Sequence, residues 1–403
     1  MNLNPYREAL ALPGFRALLL VTTLARLPTS MAGITLTLYV VTDLDRGYAA
    51  AGAVAAAVTI GAALGAPLMG RLADRRGLRP VLVLTSIAEA IFWAGAPSLP
   101  YGVLIGAAFV GGLLMLPIYS VSRQSIAALA PPAKRRQAYA LDSMSVELSF
   151  IIGPSVAVLL VTAISGRTTL YLIGAGIVVA GTALYLLNPP IRNAAELRDA
   201  GAPVPVRQWL TPRLVGILLI SAAATLVIGG TDVALVATTR EAGQVQWSGV
   251  VIGVWAASSL VGGFGYGAAR QAVSPLTLMA GLGLATVPVG LAGGSWWLLA
   301  LALIPAGLLC APTLASTADA LSRLAPAPVR GLVMGLHGSA VTVGTALGAP
   351  LAGAVIDRWS PGWGFVVIGL AGLLAAALVL PATLRHSRTP VPPPTPAPLT
   401  PAP

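Results

Sequence analysis

One cysteine, Cys310, and two histidines, His337 and His386, are all that 403 residues offer to disulfide or zinc chemistry. A lone cysteine inside an apolar run forms no intrachain disulfide and implies no redox compartment. Two distant histidines do not make a zinc site, so no metal is expected. Charge is scarce too: Asp, Glu, Lys and Arg make up 9% of the chain, against roughly a quarter in a soluble domain. No HExxH, nucleophile elbow or phosphate-binding loop occurs, which argues against an enzyme and against a cofactor. A nucleotide-binding domain is also missing, which disfavours work driven directly by ATP.

What the chain has in quantity is apolar sequence, 56% of all residues. Runs long enough to cross a bilayer, roughly 20 residues each, recur from end to end. Bounded by charge, Pro or Gly clusters, they fall near 15–42, 49–69, 80–98, 101–128, 138–163 and 168–187, then near 213–238, 248–268, 275–293, 296–320, 331–356 and 363–384. Backbone groups in hydrocarbon must be satisfied within their own segment, and these runs far exceed barrel strands. The expectation is an all-α polytopic membrane protein of twelve helices. The first run lacks a small-residue cleavage site, so it reads as a span rather than a signal peptide.

An even number of spans puts both termini on one side. With the N-terminus cytoplasmic, eighteen of the 24 Lys and Arg residues fall in inner segments and four, Arg46, Arg167, Arg240 and Arg358, in outer ones; Arg26 and Arg123 lie within spans. The positive-inside rule therefore predicts a cell membrane protein with both termini cytoplasmic. The same distribution explains the net charge of +11 without nucleic acid, which would need basic residues gathered on one soluble surface.

The chain divides into a first six-helix unit, 1–187, a polar Pro- and Arg-containing linker, 188–212, a second six-helix unit, 213–384, and a Pro-rich tail, 385–403, expected to be extended or disordered. A shift of 195 residues lays Pro80 on Pro275, Gly112 on Gly307, Pro117 on Pro312, Pro131 on Pro326, Arg135 on Arg330 and Gly153 on Gly348. Two pseudo-symmetric halves follow, and such repeats place a solute site at mid-membrane between them. Gly335, Gly344 and Gly348 on the eleventh span, with Gly61/Gly65 and Gly263/Gly267 on the second and eighth, predict close helix contact across that interface.

Between the second and third runs stands Gly70-Arg71-Leu72-Ala73-Asp74-Arg75-Arg76-Gly77-Leu78-Arg79-Pro80. This resembles the signature loop of the major facilitator superfamily, and the likeness extends over about residues 10 to 385. The resemblance implies the major facilitator fold, alternating access of a central cavity, and a conformational latch at Gly70, Asp74, Arg75, Gly77 and Arg79. Asp74 is suited to meet a neighbouring helix N-terminus, and the arginines to pair with acids on adjacent loops. The second-half counterpart, Gly267 to Arg270, has no acid. Gly153-Pro154 in the fifth span resembles the Gly-Pro signature of drug/proton antiporters, although its further glycine places hold Ala140, Ser149, Ala157 and Val158. Gly153 and Pro154, with Gly335, Gly344 and Gly348, are the candidate interface and hinge.

Ionisable groups at span depth are costly and are functional candidates. Arg26 lies ten residues beyond Arg16, roughly 15 Å along a helix. Glu147 and Glu89 lie at comparable depth, and Asp232 in the outer part of the seventh span. The central-cavity and proton-coupling set is Arg26, Arg123, Glu147 and Asp232. Glu147 reads as a carboxyl balanced by Arg26 or Arg123, either to couple protons or as a permanent ion pair. For Arg123, coupling and snorkelling to the interface both stand. Glu89 reads as pairing with a neighbouring helix. The first-choice function is secondary transport, as proton-coupled efflux of a drug-like or lipophilic small molecule by a monomer in the lipid bilayer. Uptake or facilitated transport is the alternative, and a non-transporting membrane protein or membrane enzyme the second.

Overall fold

The computed structural model describes residues 4–193, 196, 204–269, 271 and 273–386. The tail beyond 386, Arg270, and the remaining linker positions lie outside the described residues. Twelve helices are long and apolar enough to cross a membrane, and among the described residues there is no strand. They are Phe15–Thr42, Ala49–Arg76, Leu78–Ser98, Tyr101–Leu129, Arg135–Ala163 and Gly166–Leu187, followed by Pro212–Glu241, Val245–Ala268, Pro275–Ala292, Trp296–Leu324, Ala327–Arg358 and Pro361–Pro381. They are called spans 1 to 12 below. A short helix, Asn4–Leu10, precedes span 1.

Local chemistry sets several ends. Thr211 and Ser274 cap spans 7 and 9, each accepting an amide three residues on, with Pro212 and Pro275 at the first turn, where no N–H is needed. Ser165 caps span 6 likewise. Gly77, at φ 81°, takes the left-handed turn that separates spans 2 and 3. Span 4 is two helices, Tyr101–Leu113 and Ile118–Leu129, with residues 114–117 unwound up to and including Pro117.

Spans 1–6 bury one apolar core, which includes Tyr39, Trp93, Leu104 and Leu170, and spans 7–12 a second, which includes Leu235, Met279, Leu303 and Phe365. Outward-facing side chains are apolar as well: Leu20, Ile91, Val179, Leu186, Leu374 and Leu378 are each more than half exposed. That is the surface of a protein solvated by lipid chains. A third cluster joins the bundles, with Phe15, Leu18 and Tyr139 from the first against Tyr266, Ala315 and Ala318 from the second.

The bundles meet along two seams, span 2 on span 11, and span 5 on spans 8 and 10. The side-chain and glycine contacts across them fall at residues 63–74 of span 2, 136–147 of span 5, 259–267 of span 8 and 331–339 of span 11. Each interval is the half of its span nearer the chain termini. The bundles are therefore closed at the terminal end and diverge towards the other.

Candidate functional site at the seams between the bundles

The 2/11 seam is built from small residues. A Cβ on Gly70 would stand 2.0 Å from the Gly331 carbonyl oxygen, and one on Gly335 2.3 Å from that of Ala66. Only glycine allows backbones this close. Ser339 Oγ donates to the Ala63 carbonyl 2.5 Å away. At the membrane edge both Asp74 oxygens accept from the first amides of span 11, Gly331 and Leu332, each at 2.8 Å. A carboxylate on free amides at the positive end of a helix dipole is a favourable cap. Arg192 from the linker donates to the Asp74 carbonyl at 2.7 Å. Arg75 is exposed and makes no ion pair among the described residues, while Arg79 lies over the Tyr185 ring at 5.2 Å. The loop arginines thus do not meet acids here.

The 5/8 seam is filled by side chains. Tyr6 stacks on Phe264, with ring centroids 4.6 Å apart, and donates to the Phe264 carbonyl. Burial pushes the Tyr6 phenol up to about 12, so it remains a donor at physiological pH. Arg136 donates to the Ala269 carbonyl, and Met144 packs over Gly263.

The sequence-predicted cations are both buried and both engaged, but not with Glu147. Arg26 is fully buried and forms a 2.6 Å ion pair with Asp142, with Ser145 Oγ at 2.5 Å and the Tyr119 ring 5.2 Å from the guanidinium. Ser122 also donates to Asp142 at 2.5 Å. Arg123 is 6% exposed, which rules out snorkelling in this state. It crosses the seam to His337 Nδ1 at 2.8 Å. Glu147 instead accepts from Ser259 Oγ at 3.0 Å and has no cation partner among the described residues. Phase explains the exchange: Glu147 is five residues beyond Asp142, about 140° further round the helix, so the two acids cannot face the same arginine. Asp232 is exposed, makes no ion pair among the described residues, and has Glu147 as its charged neighbour.

Other predicted positions fall within a bundle. Gly153 faces Ser30 and the Leu27 carbonyl of span 1, within the first bundle, and Pro154 follows it in the same helix. Gly344 and Gly348 pack on Ala222 and Leu226 of span 7, and Gly61 and Gly65 on span 4. Of the three glycines predicted for the interface on span 11, Gly335 packs there, whereas Gly344 and Gly348 lie beyond the level where the bundles part. Glu89 does bind a neighbour, but through the break in span 4: its Oε1 accepts from the Leu116 amide at 3.3 Å and its Oε2 from Trp93 Nε1 at 2.5 Å. The unwound turn frees that amide, and the buried carboxyl satisfies it.

Residues 18–292 and 266–403 match the profile of the Major Facilitator Superfamily. An uncharacterised MFS-type transporter, y4rN of Sinorhizobium fredii, is 28% identical over 96% of this chain and 98% of its own length. Among solved structures, a bacterial homologue of the iron transporter ferroportin in its outward-facing state aligns with a TM-score of 0.72 at 16% identity, covering 93% of this chain and 100% of that one. The human organic anion transporter MFSD10 aligns at 0.70 and 18%, covering 91% and 100%. The proton:xylose symporter XylE aligns at 0.70 and 14%, covering 91% and 95%. Twelve spans in two bundles, closed at one end, and a profile match along nearly the whole length lead to one conclusion: the chain belongs to the Major Facilitator Superfamily and is a multi-pass secondary transporter of small molecules.

Proposed function

We propose that this transporter is a proton-coupled exporter of a small lipophilic compound, working as a monomer in the cell membrane with both termini in the cytoplasm. The orientation rests on the distribution of Lys and Arg, and makes the closed end cytoplasmic and the structure outward-facing. The efflux reading rests on the resemblance of Gly153-Pro154 to the antiporter signature. The latch role of Gly70, Asp74, Arg75, Gly77 and Arg79 is carried by Asp74, whose bonds to Gly331 and Leu332 exist only while the 2/11 seam is shut.

Proton coupling is supported above all by Glu147, a carboxyl at a seam that opens and closes, held by one hydroxyl and no cation. Glu147 is half-buried, and an ionised carboxylate with little water and no cation to meet it is costly, so the closed seam takes it with its proton. When the seam opens, the group is fully hydrated and the proton leaves. Asp232, in the diverging region beyond, supplies a second acid along the same route. Arg26 holds the fixed charge that keeps the first bundle in register through Asp142, and Arg123 ties that bundle to the second through His337. In vesicles with an imposed proton gradient, Glu147→Gln is expected to abolish gradient-driven accumulation while leaving downhill exchange of compound. Undiminished gradient-driven transport by that variant removes Glu147 from coupling, and accumulation along rather than against the proton movement replaces export by uptake.

A further inference from the structure

The 195-residue repeat carries a polar unit as well as Gly and Pro marks. In the first bundle Ser122 of span 4 and Asp142 of span 5 hydrogen-bond each other, and Arg26 completes the group. The positions 195 residues on are Thr317 of span 10 and His337 of span 11, and these two also touch, His337 Nε2 lying 3.2 Å from Thr317 Oγ1. The position answering to Arg26 is Ser221, so the second bundle has no arginine of its own. Arg123 supplies it from across the interface.

The partners determine the state of the ring. Arg123 has no lone pair to offer, so His337 Nδ1 must accept. The Thr317 hydroxyl gives its hydrogen to the Leu314 carbonyl at 2.9 Å, leaving a lone pair for Nε2–H. The bridge thus requires a neutral imidazole with its hydrogen on Nε2, a tautomer assigned from these contacts. A proton added at Nδ1 would set two donors head to head 2.8 Å apart. His337 is completely buried, and no acid stands ready to replace Arg123 as its partner. Span 2 from Gly61 to Gly70, span 7 from Leu214 to Gly230, and span 12 from Pro361 to Leu384 contain no ionisable residue. On span 10 Asp319 is engaged with Arg323. Beyond Arg123 stand Arg26, Asp142 and the phenols Tyr119 and Tyr139, and Asp142 is taken by Arg26.

We propose that His337 is a second proton site, separate from Glu147, and that a proton on its Nδ1 breaks the bridge to Arg123 and releases the terminal-side closure of the bundles. The use of that release in transport rests on the proton-coupled reading above, whereas the bridge is testable without any transported compound. Spin labels at Arg76→Cys and Thr277→Cys, both exposed at the terminal end on opposite bundles, in a Cys310→Ala background would report the separation of the bundles in lipid nanodiscs. As the pH is lowered from about 8 through and below the range in which an unperturbed histidine changes charge, the distances should shift to longer values. His337→Asn keeps an acceptor for Arg123 that takes no proton, and should hold the short distances throughout. Arg123→Gln removes the cation and should give the long distances already at pH 8, with the pH response lost. A pH response unchanged in His337→Asn, or absent from the parent, overturns the proposal. Should His337→Asn not fold, a pH-dependent opening retained in Arg123→Gln overturns it equally. Glu147→Gln should keep this response while losing gradient-driven transport, so failure of the Glu147 reading and failure of this one give different results.

Discussion

The two seams are related by the repeat, yet they are built from different chemistry. Gly331, Gly335 and Ser339 on span 11 answer to Arg136, Ala140 and Met144 on span 5. On the 2/11 side backbone meets backbone, and Asp74 caps the opposing helix. On the 5/8 side the counterpart of Asp74 is Ala269, whose carbonyl accepts from Arg136, so a cap by carboxylate is replaced by a reach from arginine. Glu147 sits on this second side, above a layer of Tyr6, Met144 and Ala140. Duplication supplied one geometry; substitution then made one seam a close-packed contact with a detachable cap, and the other a side-chain-filled contact with a titratable group at its inner edge.

The largest test of this contrast lies just behind the 5/8 seam. Removing one partner of a buried ion pair strands the other charge, at about 3–5 kcal/mol. Arg26→Leu should destabilise the protein by that order in thermal unfolding in detergent, because Asp142 keeps only Ser122. Ser221→Ala, at the equivalent place in the second bundle, should cost about 1 kcal/mol or less, since that hydroxyl bonds only the Ile217 carbonyl of its own helix. Replacing both members in Arg26→Leu/Asp142→Leu should recover most of the loss. Equal losses in Arg26→Leu and Ser221→Ala would mean that the bundles are not electrostatically different after all.

A smaller effect is expected at the other seam. A methyl at Gly335 meets backbone at 2.3 and 2.6 Å, from the Ala66 oxygen and Pro67 Cα, with no flexible side chain to yield. Overpacking of this kind costs about 1–3 kcal/mol, which shifts the ratio of closed to open bundles by ~5- to 150-fold. Gly335→Ala should therefore lengthen the terminal-side label distances described above and lower transport. Ala140→Gly, the mirror substitution, removes a methyl from the looser seam and should leave the distances nearly unchanged. Similar responses at both positions would abolish the distinction between a close-packed and a side-chain-filled seam.

The fold was largely legible because lipid imposes a simple rule on length and hydropathy, and each run recognised in the sequence is a span within several residues. The partner of Asp74 was legible in kind, a helix N-terminus, because an acid in a turn between spans has few other uses. Partners of buried groups were not. Whether Arg26 meets Asp142 or Glu147 depends on helix azimuth and on a fifth-span rotation that run boundaries known to a few residues do not define. The role of Glu89 depends on four unwound residues ending at Pro117, which hydropathy reads as continuous span. Tyr6, Ser122, Ser145, Ser259 and Thr317 were missed, being common residues without a motif. The signal that would have found two of them is the repeat itself, which aligns Ser122 with Thr317 as it aligns Asp142 with His337.

The smallest expected effect separates the seams by pH. Arg330, at the start of span 11, forms a fork with linker Glu196, at 2.5 and 3.0 Å, and the Asn193 amide adds a third bond to that carboxylate at 2.9 Å. Burial pulls the Glu196 carboxyl upward, but the Arg330 hydrogen bonds, the Asn193 amide and the charges of Arg330 and Arg135 outweigh it and hold it below its ordinary value. A carboxyl depressed in the folded state stabilises fully above its unfolded value, about 4.3, and that contribution drains away as pH falls through the folded value. The counterpart Arg135 bonds only the carbonyls of Ala127 and Ala130, which do not titrate. Glu196→Gln should therefore flatten the acid limb of midpoint temperature against pH below about pH 5, by an amount no larger than the ~1 kcal/mol of a partly exposed pair. Arg135→Gln should lower the whole curve with little change in that limb. An acid limb as steep in Glu196→Gln as in the parent would place the acid-sensitive contact elsewhere and leave the linker outside the 2/11 seam.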